Sequence, residues 1–225
     1  MDPSALVGKL LADPPLVHPT EGEHVASSDL AVFSTDRGAY ELIAAHVHAG
    51  DATLETGLGV STALFTLLGA THHCVVGFAG EVERLQAYFQ EHAIDDAKVS
   101  FHVGWSDEVL PTIAHDGPLD LVLIDGGHGF PTPIIDWYYA GSRLRTGGIL
   151  VIDDVHLPAV VMLDDVLRRD GRWEEVQRTW KWVAYRRTSD GSLREEFFRQ
   201  PHLTQNTLGA QLTRVRRFVS RRASK

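Results

Sequence analysis

The chain has 225 residues, 44% of them hydrophobic, and 21 Lys and Arg against 30 Asp and Glu give it a formal net charge of -9 at pH 7. That length and apolar content supply one sizeable core, and the acidic balance argues against a general electrostatic affinity for nucleic acid or an anionic membrane surface. No window approaches the roughly 18 uninterrupted apolar residues of a membrane span, and the start MDPSALVGKLLADPPLV lacks the basic and apolar regions of a secretion signal. The single cysteine, Cys74, lies in the apolar run CVVGF and reads as a small buried hydrophobe, so a reducing, cytoplasmic setting is expected.

Residues 1–34 hold Pro3, Pro14, Pro15 and Pro19 among polar residues, which predicts an irregular arm with one short helix over 4–11. From Thr35 the pattern changes. Tyr40, Ile43, Ala44 and Val47 recur at helical spacing, with Asp36 as N-cap and Gly50 as stop. Short apolar runs then predict strands at 52–55, 73–78, 99–103, 119–125 and 149–153. Amphipathic segments between and after them predict helices at 61–68, 81–93, 107–113, 133–144 and 158–168. Strands separated by helix-length connections imply βαβ units, right-handed crossovers and a parallel sheet. Beyond Gly171, the runs 173–178 and 181–188 are almost contiguous and can pair only antiparallel, which closes one edge as a mixed sheet. The stretch 208–225 is basic and reads as a solvated helix or tail. The organisation is thus an arm (1–34), an α/β body (35–190) and a C-terminal extension with the basic tail (191–225).

Ligands of an open parallel sheet bind beyond the carboxyl ends of its strands, so chemistry is sought there. The first strand ends LETGLGVST, with Gly57 and Gly59 in the turn and Ser61 opening the helix, which lets the backbone approach a ligand closely. Thr62 stands where a dinucleotide fingerprint needs its third glycine, and a Walker lysine is absent. The fourth and fifth strands end LVLIDGGHGF and ILVIDDVH, so Asp125, Asp153 and Asp154 converge at one mouth. An unpaired carboxylate in a low-dielectric interior is costly. Three of them with no basic residue nearby in sequence suit a hard divalent cation such as Mg²⁺. His128 and His156 lie beside these acids, and an unperturbed histidine titrates where proton abstraction near neutral pH needs it.

Taken together, the order of elements resembles a class I S-adenosylmethionine-dependent methyltransferase over roughly residues 35–190. The resemblance implies a Rossmann-like three-layer sandwich, with a mostly parallel seven-stranded sheet and a terminal antiparallel hairpin. It places Glu55, Thr56, Gly57, Gly59 and Ser61 against the methionine and ribose portions of S-adenosylmethionine. Such enzymes end the second strand with an acid that holds the ribose hydroxyls. Here VVGFAGEVE has Ala79 at that position, and Glu81 is either its substitute or an ordinary first-turn acid favoured by the helix dipole. In VGWSDEVLP the resemblance sets Trp105 and Ser106 beside the adenine and Asp107 near its amino group, while Ser106 or Asp107 also suits a helix N-cap.

The acids resemble those of the metal-dependent O-methyltransferases of the catechol and macrolide-sugar types. That likeness makes Asp125, Asp153 and Asp154 metal ligands, Asp125 and His128 catalytic with His128 as the general base, and His156 a second candidate. The implied reaction moves a methyl group to a hydroxyl of a small molecule, such as a sugar-containing natural product or a phenol, with Mg²⁺ acidifying the acceptor. Phe130, Trp137, Tyr138, Tyr139, Trp180 and Trp182 either wall the acceptor pocket or pack the fold. No nucleic-acid or membrane partner is expected, and a homo-oligomer is left open. A metal-independent methyltransferase and a non-catalytic binding protein on the same scaffold remain alternatives, the latter favoured by Ala79.

Overall fold

In the computed structural model, which describes residues 2–19, 30–31, 35–114, 117–191, 195–196, 199–200 and 202, the apolar runs line up as one seven-stranded sheet. The strands are β1 (Ala52–Thr56), β2 (Thr71–Val76), β3 (Val99–Val103), β4 (Leu119–Ile124), β5 (Leu144–Ile152), β6 (Trp173–Arg178) and β7 (Val183–Arg187). Their spatial order is β3-β2-β1-β4-β5-β7-β6. The first five are parallel, while β7 runs antiparallel to both β5 and β6. The order reverses between β1 and β4, which opens a crevice at their carboxyl ends.

Among the described residues, seven α-helices cover the two faces: α1 (Pro3–Ala12), α2 (Arg37–His46), α3 (Val60–Leu67), α4 (Ala79–Glu91), α5 (Ser106–Val109), α6 (Thr132–Tyr139) and α7 (Pro158–Arg169). Alternating strand residues feed two separate cores, as the period of two dictates. Leu121, Leu123, Ile149, Val151 and Ala184 pack with the faces of α1 to α4. Val122, Ile124, Leu150, Ile152, Val183 and Tyr185 pack with α6 and α7 on the other side. The result is the three-layer sandwich expected from the resemblance. Asp36 caps α2 by accepting from the Ala39 amide at 3.2 Å.

Several boundaries differ from the sequence expectation by two residues or more, α4 among them, and three differences have a physical reason. The second strand begins at Thr71, not residue 73, because His72 is wholly buried: its ring stacks on Phe65 at 4.4 Å and its two nitrogens face Thr53 and Glu55. The helix expected over 133–144 stops at Tyr139, and a short 3-10 turn at Gly141–Arg143 leads into β5. Leu144 is 1% exposed and pairs with Leu119, so it belongs to the strand, whose signal Gly147 and Gly148 had masked. The helix expected over 107–113 is a single α-turn followed by a 3-10 turn at Leu110–Thr112, carrying Pro111.

The arm is anchored. Leu6, Val7, Leu10 and Val17 are buried in the first core, and α1 packs on α2 and α3. The basic stretch 208–225 lies outside the described residues, and among those described no helix is long and apolar enough to cross a membrane.

Candidate active site

Main-chain pairing continues one residue past β1, β3, β4 and β5 and sets the site in a row. The Gly57 amide donates to Val75, Gly104 to Val76, Asp125 to Thr56 and Asp153 to Ile124, all at 2.9–3.0 Å. Above this row lies a cavity of about 630 Å³, within the size range of small-molecule sites. Gly57 is its tightest point. Its φ is +93°, and a Cβ there would stand 2.3 Å from the Asp125 carbonyl oxygen.

One half of the cavity is walled by the glycine turn, with Thr56, Gly57, Gly59 and Ser61, and by Phe78, Glu81, Trp105 and Ser106. Phe78 and Trp105 meet edge to face at 6.0 Å, and Trp105 is 61% exposed. Ala79 is exposed as the first residue of α4 and does not line the cavity, whereas Glu81 does. Asp107 is exposed in the first turn of α5, away from the lining, and the N-cap position belongs to Trp105 rather than to Ser106 or Asp107.

Glu55 lies beneath the floor, not on it. It is 0% exposed, and its Oε1 accepts hydrogen bonds from Thr62 Oγ1 and pairs with His72 Nε2 at 3.1 Å. Thr62 Oγ1 in turn accepts from the Gly59 amide at 3.0 Å. Glu55 therefore touches the cavity through the glycine turn that it braces. Asp136, a buried acid on α6, supports the same floor by accepting from Thr56 Oγ1 at 2.8 Å. Burial raises its pKa to about 6, against hydrogen bonds from Ser106 and Thr56 that lower it.

The other half of the cavity holds the acids. Asp153 is 2% exposed and both its oxygens are engaged, Oδ1 by Thr35 Oγ1 at 2.8 Å and Oδ2 by Lys181 Nζ at 3.1 Å. Asp154 takes Lys181 Nζ on Oδ1 at 2.8 Å and His128 Nε2 on Oδ2 at 3.2 Å. Its φ of +53° is a conformation that few side chains adopt, and aspartate is among those that tolerate it. His156 stands farther off, at 3.9 Å from Asp154 Oδ1, and its ring rests against Trp180.

The expectation of a carboxylate cluster without a basic partner is thus corrected. Lys181 reaches it from the turn between β6 and β7. Burial works against the Lys181 charge, but Asp154 and Asp153 outweigh it and hold its pKa above the usual lysine value. Negative charge still remains in excess. Burial first, then the charges of Asp153, Asp154 and Glu55, hold the Asp125 carboxyl well above its usual range, with Lys181 acting the other way.

As for a divalent cation, Asp153 offers no free oxygen. Asp125, His128 and Asp154 each bring a ligand atom within 4.8 Å of the others. Two carboxylates and one imidazole form a donor set that fits a first-row or Mg²⁺-like ion. Of the aromatic residues, Trp182 and Trp137 pack inside, while Phe130 and Trp180 are 67% and 75% exposed and lie outside the cavity lining.

Residues 54–155 match the family model described as a methyltransferase domain. No curated protein sequence matches the chain. Among solved structures, the O-methyltransferase TomG of Streptomyces achromogenes, involved in tomaymycin synthesis and solved with S-adenosylmethionine, superposes with a TM-score of 0.59 at 19% identity, covering 72% of this chain and 84% of that one. An O-methyltransferase of Bacillus cereus, solved with S-adenosylhomocysteine, gives 0.52 at 15% identity, covering 61% and 74%. An rRNA methylase of Streptococcus thermophilus gives 0.55 at 12% identity, covering 71% and 100%. At these identities the likeness is one of fold.

Proposed function

We propose that this chain, which carries a methyltransferase domain of class I fold, is an S-adenosylmethionine-dependent O-methyltransferase acting on a hydroxyl of a small molecule. One observation carries the reading: a single cavity joins a glycine turn with flanking aromatics to an acid and histidine cluster. The first half suits the cofactor, with Thr56, Gly57, Gly59 and Ser61 along its amino-acid and ribose parts, Glu81 at the ribose, and Phe78, Trp105 and Ser106 at the adenine. S-adenosylmethionine supplies a methyl group on a positively charged sulfur, and the excess negative charge around Asp125 favours that charge nearby.

In the second half, Asp154 holds His128 by one nitrogen, which leaves the other for the acceptor. His128 would accept the hydroxyl proton while the acceptor oxygen takes the methyl group in line, the methyl–sulfur bond breaking to leave neutral S-adenosylhomocysteine. Alternatively, Asp125 and Asp154 with His128 would hold a divalent cation, in which case His128 is a ligand rather than the base, and such an ion would itself lower the pKa of a bound hydroxyl. Phe130 and Trp180 offer rigid apolar faces to a sugar or phenol ring. Position and charge are the main contributions to rate in this reading.

A metal-independent form of the same reaction is the second reading, favoured by Lys181, whose ammonium already bridges Asp153 and Asp154. Titration calorimetry with S-adenosylhomocysteine, followed by product formation on a panel of catechols and glycosylated hydroxyl acceptors, tests both. Micromolar binding and Mg²⁺-stimulated turnover support the first reading, turnover indifferent to EDTA supports the second, and absence of binding at millimolar ligand removes the cofactor assignment.

A further inference from the structure

The acid that would hold the ribose is missing from its usual place, and the structure has two polar side chains where it would act. Glu81 is the third residue of α4, its side chain 13% exposed on the cavity wall. Opposite it, and also on the wall, is His18 of the N-terminal arm, with Nδ1 at 2.9 Å from Glu81 Oε1 and a side chain 17% exposed.

The meeting of these two residues is built along a whole helix. Glu81, Arg84 and Tyr88 of α4 and its C-cap His92 fall on one stripe, three to four residues apart. Each meets the arm: His18 at Glu81, the Val17 carbonyl at Arg84 Nε (2.6 Å), the Asp13 carbonyl at Tyr88 Oη (2.8 Å), and the Asp13 carboxylate at His92 Nε2 (3.7 Å). The arm therefore runs antiparallel to α4, with Val17 buried at 1% exposure as an apolar anchor. Its register delivers His18 to the amino-terminal end of the helix, beside the cavity.

We infer that His18 is a positioning residue for the ribose: it fixes one oxygen of Glu81 so that the other accepts from a ribose hydroxyl, and the pair replaces the acid absent at Ala79. The inference rests on the cofactor reading above. It makes the arm a wall of the cofactor site and not an appendage to the domain.

The experiment is titration calorimetry of the full chain with S-adenosylhomocysteine and with its 2′-deoxy and 3′-deoxy counterparts, for the wild type and for Glu81→Ala, His18→Ala and His18→Asn. Wild-type protein is expected to bind the parent compound about 10- to 100-fold more tightly than at least one deoxy compound, the size of a lost hydrogen bond to a charged acceptor. Glu81→Ala weakens the parent by a similar factor and levels the three affinities. His18→Ala removes most of the discrimination while its affinity for the matching deoxy compound stays within about threefold of wild type. His18→Asn, whose amide can reach the same oxygen, restores the discrimination.

Full discrimination in His18→Ala overturns the inference, and so does equal loss of affinity for all three compounds, which marks a merely structural arm. Failure of the wild type to bind S-adenosylhomocysteine is a different result, since it overturns the cofactor reading itself.

Discussion

Two groups of carboxylates stand at the same level of this sheet and do opposite things. Glu55, near the end of β1, is fully buried and held by Thr62 and by His72, whose ring stacks on Phe65, and its Oε2 has no hydrogen-bond partner among the described residues. Asp125, Asp153 and Asp154, just past β4 and β5, open on the cavity, where Lys181 pairs with Asp153 and Asp154 and His128 with Asp154. The difference is one of strand register and of a residue or two in length. A strand alternates faces, so an acid that points into the helix layer becomes a brace, and one placed beyond the last pairing is left to ligands.

The largest expected effect is on the open group. Asp125→Asn or His128→Ala should lower single-turnover methyl transfer by about 10²- to 10⁴-fold, as loss of proton transfer does, with the thermal midpoint nearly unchanged. A drop in the midpoint matching the loss of rate would erase the contrast between the two groups. The closed group should answer in the reverse sense. His72→Ala leaves Glu55 buried without its imidazole, and urea unfolding should report a loss of about 2–4 kcal/mol. Unchanged stability would mean that the brace does not bear on the fold.

Asp136 lies between the two extremes, buried like Glu55 but hydrogen-bonded to Thr56 of the cavity floor. Its pKa of about 6 in the folded state exceeds the value of about 3.9 expected when unfolded. The folded protein thus holds this proton more tightly. The stability it contributes is fully present below about pH 4 and is lost as pH rises through about 6. Asp136→Asn keeps an acceptor for Thr56, so it should flatten this stretch of the stability profile and add about 1–3 kcal/mol at pH 7. Chemical denaturation at pH 4, 5, 6 and 7 measures both, and an unaltered slope would disprove the assignment.

The smallest effect belongs to a site remote from both groups. Ala93 follows α4 at a φ of +51°, while the Ile94 amide donates to Phe89 across the helix end at 2.8 Å. Glycine is the residue that this position favours. Ala93→Gly should add about 0.5–1 kcal/mol of stability with no change in cofactor affinity, which sets the scale for the substitutions at the floor.

The strands and the acids at their ends were legible because local pattern determines them: an apolar run followed by Asp125, or by Asp153 and Asp154, needs no distant information. Glu55 was placed correctly along the chain, yet its depth was not, since only the pairing with Cys74 on β2 turns it under the floor. Lys181 and His18 were missed for a different reason. Each meets its acid across the chain, at separations of 27 and 63 residues. The signals were present but faint: one lysine in the aromatic turn TWKW, and one histidine after the buried Val17. Asp136 too could have been noticed, as the lone acid of the apolar segment TPIIDWYY.

The turn that carries Lys181 also carries Trp182, whose Nε1 donates at 2.7 Å to Asp36, the cap of α2. The last hairpin of the sheet is thereby fastened to the first helix of the body. One hairpin thus supplies both the cation that pairs with Asp153 and Asp154 and the clasp on α2. Completion of the sheet and neutralisation of its acidic mouth rest on the same few residues.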